Sequence, residues 1–245
     1  MAREPGHDRS ARAAAVQRDQ KRRETTRTVA IVAAVVVVLV AIVLGGTLLG
    51  GGDDTGGASS AAGAPRARVS GDALVVGNDA RAPHTVVVYE DFLCPYCRQF
   101  ESASRDFLRR EAKAGAVLVE YRPFHLLQDD YSTRALTAWG AVLRRGTPAQ
   151  ALSFHDALYE NQPYEAATDK PDTAALADLA EKSGVTTGSV LDALGTPDQA
   201  FVDRTDAAAQ KAGVTGTPTV LVDGQELQGS TSQVAAQVKK IVAAG

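Results

Sequence analysis

Cys94 and Cys97 are the two cysteines of this chain, and they enclose only Pro95 and Tyr96. Two thiols at this spacing suit thiol–disulfide exchange, half of a zinc site, haem attachment or a short structural bridge. A structural zinc needs four ligands, but there is no second cysteine pair. His7, His84, His125 and His155 lack the spacing of a zinc finger. Haem attachment needs histidine directly after the second cysteine, and Arg98 stands there. With no third cysteine, the pair cannot belong to a framework of stapling bridges. Exchange chemistry is the reading these residues favour.

The elements that must position the pair follow from the flanking pattern. Thr85–Tyr89 is a β-branched run suited to a central strand. Pro95 opens a helical pattern that runs to Ala114 and stops at Gly115. Cys94 therefore sits at a helix N-terminus, where free N–H groups and the helix dipole favour an anion. A thiolate is such an anion, so Cys94 is expected to ionise below a free thiol and to act as the nucleophile. Cys97, one turn further in, is expected to stay protonated and to resolve the mixed disulfide. Glu90 and Asp91 lie just upstream, as proton acceptors for Cys97 or as solvated loop acids.

Further strands are expected at Ala73–Val76, Val117–Arg122, Thr219–Val222 and Glu226–Gln228, the last two joined by an Asp223-Gly224 hairpin turn. Helices are expected at Ser132–Leu143, Pro148–Tyr159, Asp172–Lys182, Thr187–Leu194, Pro197–Ala212 and Ser232–Ala243. The resulting order, β-β-α-β, a helical block, then β-β-α, is an α/β thioredoxin-like fold with a helical insertion between the halves of its core. Trp139 and His155 read as interior residues of the insertion, and His125 as a rim residue. Thr217-Pro218 precedes a strand, where a cis bond in a tight turn is expected.

The rest of the chain sets the compartment. Residues 1–28 carry eight Lys/Arg against four acids, and residues 29–49 carry no charge. At about 1.5 Å per residue that apolar run spans roughly 30 Å, the thickness of a bilayer core. It is longer than a signal-peptide core and has no polar face. One transmembrane anchor is expected, with residues 1–28 cytoplasmic by the positive-inside rule. Residues 50–65 form a Gly/Ser/Ala tether, and residues 66–245 an extracytoplasmic domain. From residue 50 onward, 18 basic side chains face 25 acidic ones, so the footprint of a nucleic-acid binder is missing. Disulfides persist in that compartment. Arginine outnumbers lysine 19 to 7, a bias of GC-rich bacterial genomes.

The segments Tyr89–Glu101, Tyr121-Arg-Pro-Phe124, Phe154-His-Asp-Ala-Leu-Tyr159 and Gly213-Val-Thr-Gly-Thr-Pro218 together resemble the DsbA-like branch of the thioredoxin superfamily. The resemblance covers roughly residues 70–243. It implies that Cys94 is the nucleophile, that Cys97 resolves, and that Thr217 and cis-Pro218 bind substrate backbone. It also implies unfolded or partly folded exported proteins as substrates. A membrane re-oxidant of the DsbB-like or vitamin-K-epoxide-reductase-like kind would complete the cycle. No metal and no cofactor is called for. This chain departs from the branch at two points. Tyr96 replaces the histidine of the best-known dipeptide, and Val88 aligns with the buried acid of some relatives. The favoured role is oxidation of exported proteins. A disulfide isomerase is the first alternative, although residues 50–72 are too short and Gly-rich for the dimerisation domain such enzymes carry. A thiol reductase is the next, and a redox-silent peptide-binding or chaperone module stands in a different class.

Overall fold

A computed structural model describes residues 65–77 and 82–244. The expected tail and anchor, and all of the tether but Pro65, lie outside the described residues. Among the described residues no helix is long and apolar enough to cross a membrane.

Among the described residues six strands form one sheet: β1 (Ala67–Ser70), β2 (Ala73–Val76), β3 (His84–Glu90), β4 (Val117–Pro123), β5 (Thr219–Val222) and β6 (Gln225–Glu226). Their order is β1-β2-β4-β3-β5-β6. Only β3 and β4 run parallel, joined by helix α1 (Pro95–Ala114). The other neighbouring pairs are antiparallel. Alternation along β3 places Val86, Val88 and Glu90 on one buried face. The parallel register sets Val88 beside Tyr121 of β4. Helix α1 packs against the terminal helix α7 (Thr231–Val242).

Between β4 and β5 run α2 (Asp130–Arg145), α3 (Pro148–Glu160), α4 (Thr173–Lys182), α5 (Gly188–Leu194) and α6 (Gln199–Lys211). Helix α2 is the hub of this block and touches the other four. Asp129 caps it by accepting the Tyr131 N–H at 2.8 Å, and a Thr147/Gln150 capping box starts α3. Trp139 is fully buried, and its indole N–H donates to the Ala151 carbonyl at 3.1 Å. Gly140 lets α6 approach closely, because a Cβ there would stand 2.3 Å from Cε1 of Phe201. Helix α3 also reaches β1, β2 and α1, which ties the insertion to the core.

The sequence-derived elements recur with small shifts, and one strand was not anticipated. Strand β1 is a short edge strand with Val69 39% exposed. Ala-Arg-Val-Ser carries too little apolar patterning to be seen. The helix expected from Pro197 begins at Gln199 because Asp198 caps it, accepting the Phe201 N–H at 2.9 Å. The Asp223-Gly224 turn has positive φ at both residues, 52° and 81°, as a type I′ turn requires.

A Gly140→Ala substitution should destabilise the domain by about 1–3 kcal/mol, the usual cost of overpacking. Urea denaturation of the variant beside the wild type measures it, and an unchanged midpoint would mean that α2 and α6 are not in this contact.

Candidate active site

Cys94 is the N-cap residue of α1, with extended dihedrals of −67° and 118°, and Pro95 occupies the first turn. No side chain caps this helix, whereas α2, α3, α4, α6 and α7 each have a side-chain cap. The N–H groups at its start are thus left for the cysteine sulfur. Cys94 is 4% exposed and Cys97 1% exposed, and both are thiols.

The Cys97 side chain, hydrogen-bonded to the Cys94 sulfur, is the largest influence lowering the Cys94 thiol. Burial opposes it. Thr217 and the backbone N–H groups of Cys97 and Tyr96 add to the lowering, and the result is about 6. Burial pushes the Cys97 thiol well up, reinforced by the Cys94 sulfur and the Glu90 charge. Across from Cys94 the Thr217-Pro218 bond is cis, as expected. The Cys94 thiol donates to the Thr217 carbonyl oxygen at 3.4 Å, and the buried Thr217 hydroxyl has no hydrogen-bond partner among the described residues. Pro218 and Thr217 border a cleft of about 390 Å³ shared with Tyr96 and Gln99. Tyr96, 58% exposed, stands at its edge. On the other side of the helix start, a groove of about 880 Å³ runs between Pro95, Arg98, Ser102 and Tyr164.

Glu90 and Asp91 are both fully buried, which corrects the reading of them as solvated loop acids. Strand alternation carries Glu90 inward, and Asp91 is held by donors. Asp91 accepts the Leu93 N–H at 2.8 Å, the Leu126 and Leu127 N–H groups at 3.0 Å each, and the Ser132 hydroxyl at 2.8 Å. Its own carbonyl accepts the Cys94 N–H at 3.0 Å. Asp91 thereby fixes the cysteine loop to the loop after β4 and to α2. His155 is buried as expected, but it is also part of the polar interior. Its Nε2 lies 2.6 Å from Glu90 Oε1, and its ring packs on Tyr121 and Tyr159 with centroids 4.5 and 5.1 Å apart. His125 stays at the rim, bonded to Thr133 and, through its N–H, to Asp206.

Sequence spacing alone assigns no role to two residues of the site. Gln162, just after α3, donates from Nε2 to the carbonyls of Phe92 and Cys94, each at 3.0 Å. Glu101 is fully buried beside Glu90 and His155, with all three ligand atoms within 4.8 Å. A signal for Glu101 was present: Cys97, Phe100, Glu101, Ser104 and Leu108 follow the helical stripe of α1. Two carboxylates and an imidazole could hold a divalent metal. However, Arg105 Nε lies 3.5 Å from Glu101 Oε2, and the imidazole already shares its charge with Glu90.

A paired-thiol site at a helix start, faced by a cis-proline loop on a β-α-β sheet core, defines a thioredoxin-fold protein. A family model described as Thioredoxin matches residues 70–243. Reduced DsbA from Mycobacterium tuberculosis is 31% identical, with a TM-score of 0.58 over 70% of this chain and 93% of that one. Reduced DsbG from the same organism is 30% identical, with a TM-score of 0.58 over 73% of this chain and 87% of that one. MdbA from Corynebacterium diphtheriae, 22% identical with a TM-score of 0.61 over 73% of this chain and 94% of that one, shares the fold. The chain belongs to the DsbA-like thiol–disulfide oxidoreductases of the thioredoxin superfamily. A serine/threonine-protein kinase, PknE of M. tuberculosis, is 32% identical over 171 residues, 65% of this chain. The chain spans about 30% of the length of such curated relatives.

Titrating the reduced protein at 240 nm should show one thiolate forming with a midpoint of about 6. Cys97→Ala removes the largest lowering influence, so its midpoint should move up toward that of a free thiol. A midpoint unmoved by Cys97→Ala would assign the lowering to Thr217 and the helix terminus instead. Because the folded Cys94 thiol is depressed, its contribution to the stability of the reduced form is full above the unfolded value near 9. That contribution is lost as pH falls through about 6.

Proposed function

We propose that this protein is a membrane-tethered, extracytoplasmic thiol oxidase that passes its Cys94–Cys97 disulfide to exported proteins. The observation that supports the reading best is the asymmetry of the pair: Cys94 lowered to about 6, Cys97 buried and raised. A stabilised Cys94 thiolate favours the reduced form, and a protein that prefers its reduced form donates disulfides.

In the oxidising direction a substrate thiolate attacks Cys94 Sγ, and the S–S electron pair leaves on Cys97. A second substrate thiolate then attacks the substrate sulfur of the mixed disulfide. The substrate departs oxidised, and Cys94 departs as a thiolate stabilised by the helix N–H groups. Thr217 and Pro218 edge the cleft beside the sulfur, where an extended substrate segment would lie. The pair ends as a dithiol, so an oxidant must restore it. The apolar run at residues 29–49 would hold the domain beside a membrane re-oxidant of the DsbB-like or vitamin-K-epoxide-reductase-like kind.

The reduction potential, measured in glutathione buffers, should lie nearer the roughly −120 mV of DsbA than the roughly −270 mV of thioredoxin. A value near the latter would make the protein a reductase. Cys94→Ser should abolish oxidation of a reduced unfolded substrate; Cys94→Ser and Cys97→Ser variants that still perform the protein's role in the cell would support a redox-silent binding module. The full chain should sediment with membranes and resist extraction by salt, and recovery in the soluble fraction would remove the tether from this reading.

A further inference from the structure

A substrate sulfur that bonds Cys94 brings its chain with it, and that chain must leave the sulfur in two directions. The cleft edged by Thr217 and Pro218 is open to one of them. Across the helix start lies the larger groove of about 880 Å³, with Pro95, Arg98 and Ala103 of α1 on one wall and Pro163, Tyr164 and Glu165 on the other. Gln99 lines both depressions, so they adjoin at the helix start. Among the described residues, the exposed large hydrophobic side chains are Val69, Tyr96 and Tyr164. Two of these three border the depressions beside Cys94, Tyr96 the smaller and Tyr164 the larger.

The segment that displays Tyr164, between α3 and α4, is held at both ends. Gln162 is buried beneath it and donates to the Phe92 and Cys94 carbonyls. The Ala167 N–H donates to the Tyr164 carbonyl at 2.9 Å and closes a turn. Further on, Lys170 Nζ bonds Asp129 Oδ2 at 2.7 Å, and Arg134 donates to the Pro171 carbonyl at 3.3 Å. The Tyr164 side chain is nonetheless 79% exposed. An aromatic ring held toward solvent by a fixed backbone loses little freedom on binding, and its face suits an apolar partner. The charges of the groove narrow the occupant further. Arg98 on the helix wall and Glu165 on the loop wall are opposite in sign, so neither an acidic nor a basic side chain is favoured. Pro95, Ala103, Pro163 and Tyr164 offer apolar surface between them.

We propose that this groove is a second substrate subsite, completed by the helical insertion, that takes a large apolar side chain of an extended exported protein. Helix geometry places that side chain along the substrate. Arg98 and Ser102 stand about one and two turns beyond Cys94, roughly 6 and 12 Å along the helix axis. An extended chain advances about 3.3 Å per residue. The side chain read by the groove therefore stands about two to four residues from the attacking cysteine. Unfolded chains expose large apolar residues beside their cysteines, whereas folded ones bury most of them. The subsite thus favours unfolded substrates over folded ones, and it does so without contact with the sulfurs. The inference rests on thiol–disulfide exchange at Cys94 and deepens it by naming the part of the substrate that is recognised.

Oxidised full chain in detergent is mixed with two reduced dithiol peptides. They are alike except that one carries Phe, and the other Ala, three residues to each side of both cysteines. Loss of peptide thiols measures the rate. The wild type should prefer the Phe peptide at least tenfold in kcat/KM, chiefly through a lower KM. Tyr164→Ala, and Ala103→Trp, which fills the space the ring would take, should each reduce that preference below threefold. Both positions are exposed, so neither change removes core packing. Equal rates for the two peptides in the wild type overturn the subsite, as does a preference that survives either substitution. Variants that oxidise both peptides as the wild type does, yet are re-oxidised more slowly by membranes of the source cell, overturn it in favour of a docking site for the re-oxidant. Dithiothreitol needs no subsite. If it fails to reduce the oxidised wild type, the exchange reading itself falls, and this inference with it.

Discussion

The Asp91 carboxylate is the interaction on which the site depends. It accepts three backbone N–H groups and one hydroxyl, from the cysteine loop, the loop after β4 and the first turn of α2. Charge-assisted bonds to a buried carboxylate are stronger than neutral ones, and removing such a carboxylate leaves all its donors unsatisfied. The position of Cys94 is thus set from outside its own helix. Gln162 adds a second restraint by bonding the carbonyls of Phe92 and Cys94. Between them these two side chains fix the start of α1 while leaving its N–H groups without a side-chain cap.

This arrangement explains how two thiols in one turn of helix behave so differently. Cys94 has the Cys97 thiol, Thr217 and the N–H groups of the helix start around its sulfur, and its thiol is lowered to about 6. Cys97 is pressed into the interior near the Glu90 charge, and burial is the main cause of its upward shift. Tyr96 is not a basic side chain, and the lowering of Cys94 comes from hydrogen bonds.

Much of this was legible in the residues. The Cys-Pro-Tyr-Cys start of α1 and the cis bond at Thr217-Pro218 follow from local rules about helix termini and proline, which act over a few residues. Strand β1 was not legible because edge strands need little apolar patterning. The burial of Glu90 was available in principle: Val86, Val88 and Glu90 alternate along one face of β3, and the pattern outweighs the polarity of the last member. What no local pattern supplies is the meeting of Glu90 with His155, 65 residues away. The same holds for Gln162, whose partners are 68 and 70 residues upstream. Those contacts arise from how α3 docks on the sheet, a matter of packing rather than of sequence spacing.

The docking of α3 carries one more consequence. The cysteine motif belongs to the core, but His155 and Gln162 arrive from the insertion. The tetrapeptide is therefore not a portable module. A chimaera that keeps Cys94–Cys97 and borrows its helical block from a relative would inherit the relative's thiol chemistry along with the block. Within this family, divergence of the helical block can retune an unchanged motif without touching a residue beside it in the chain.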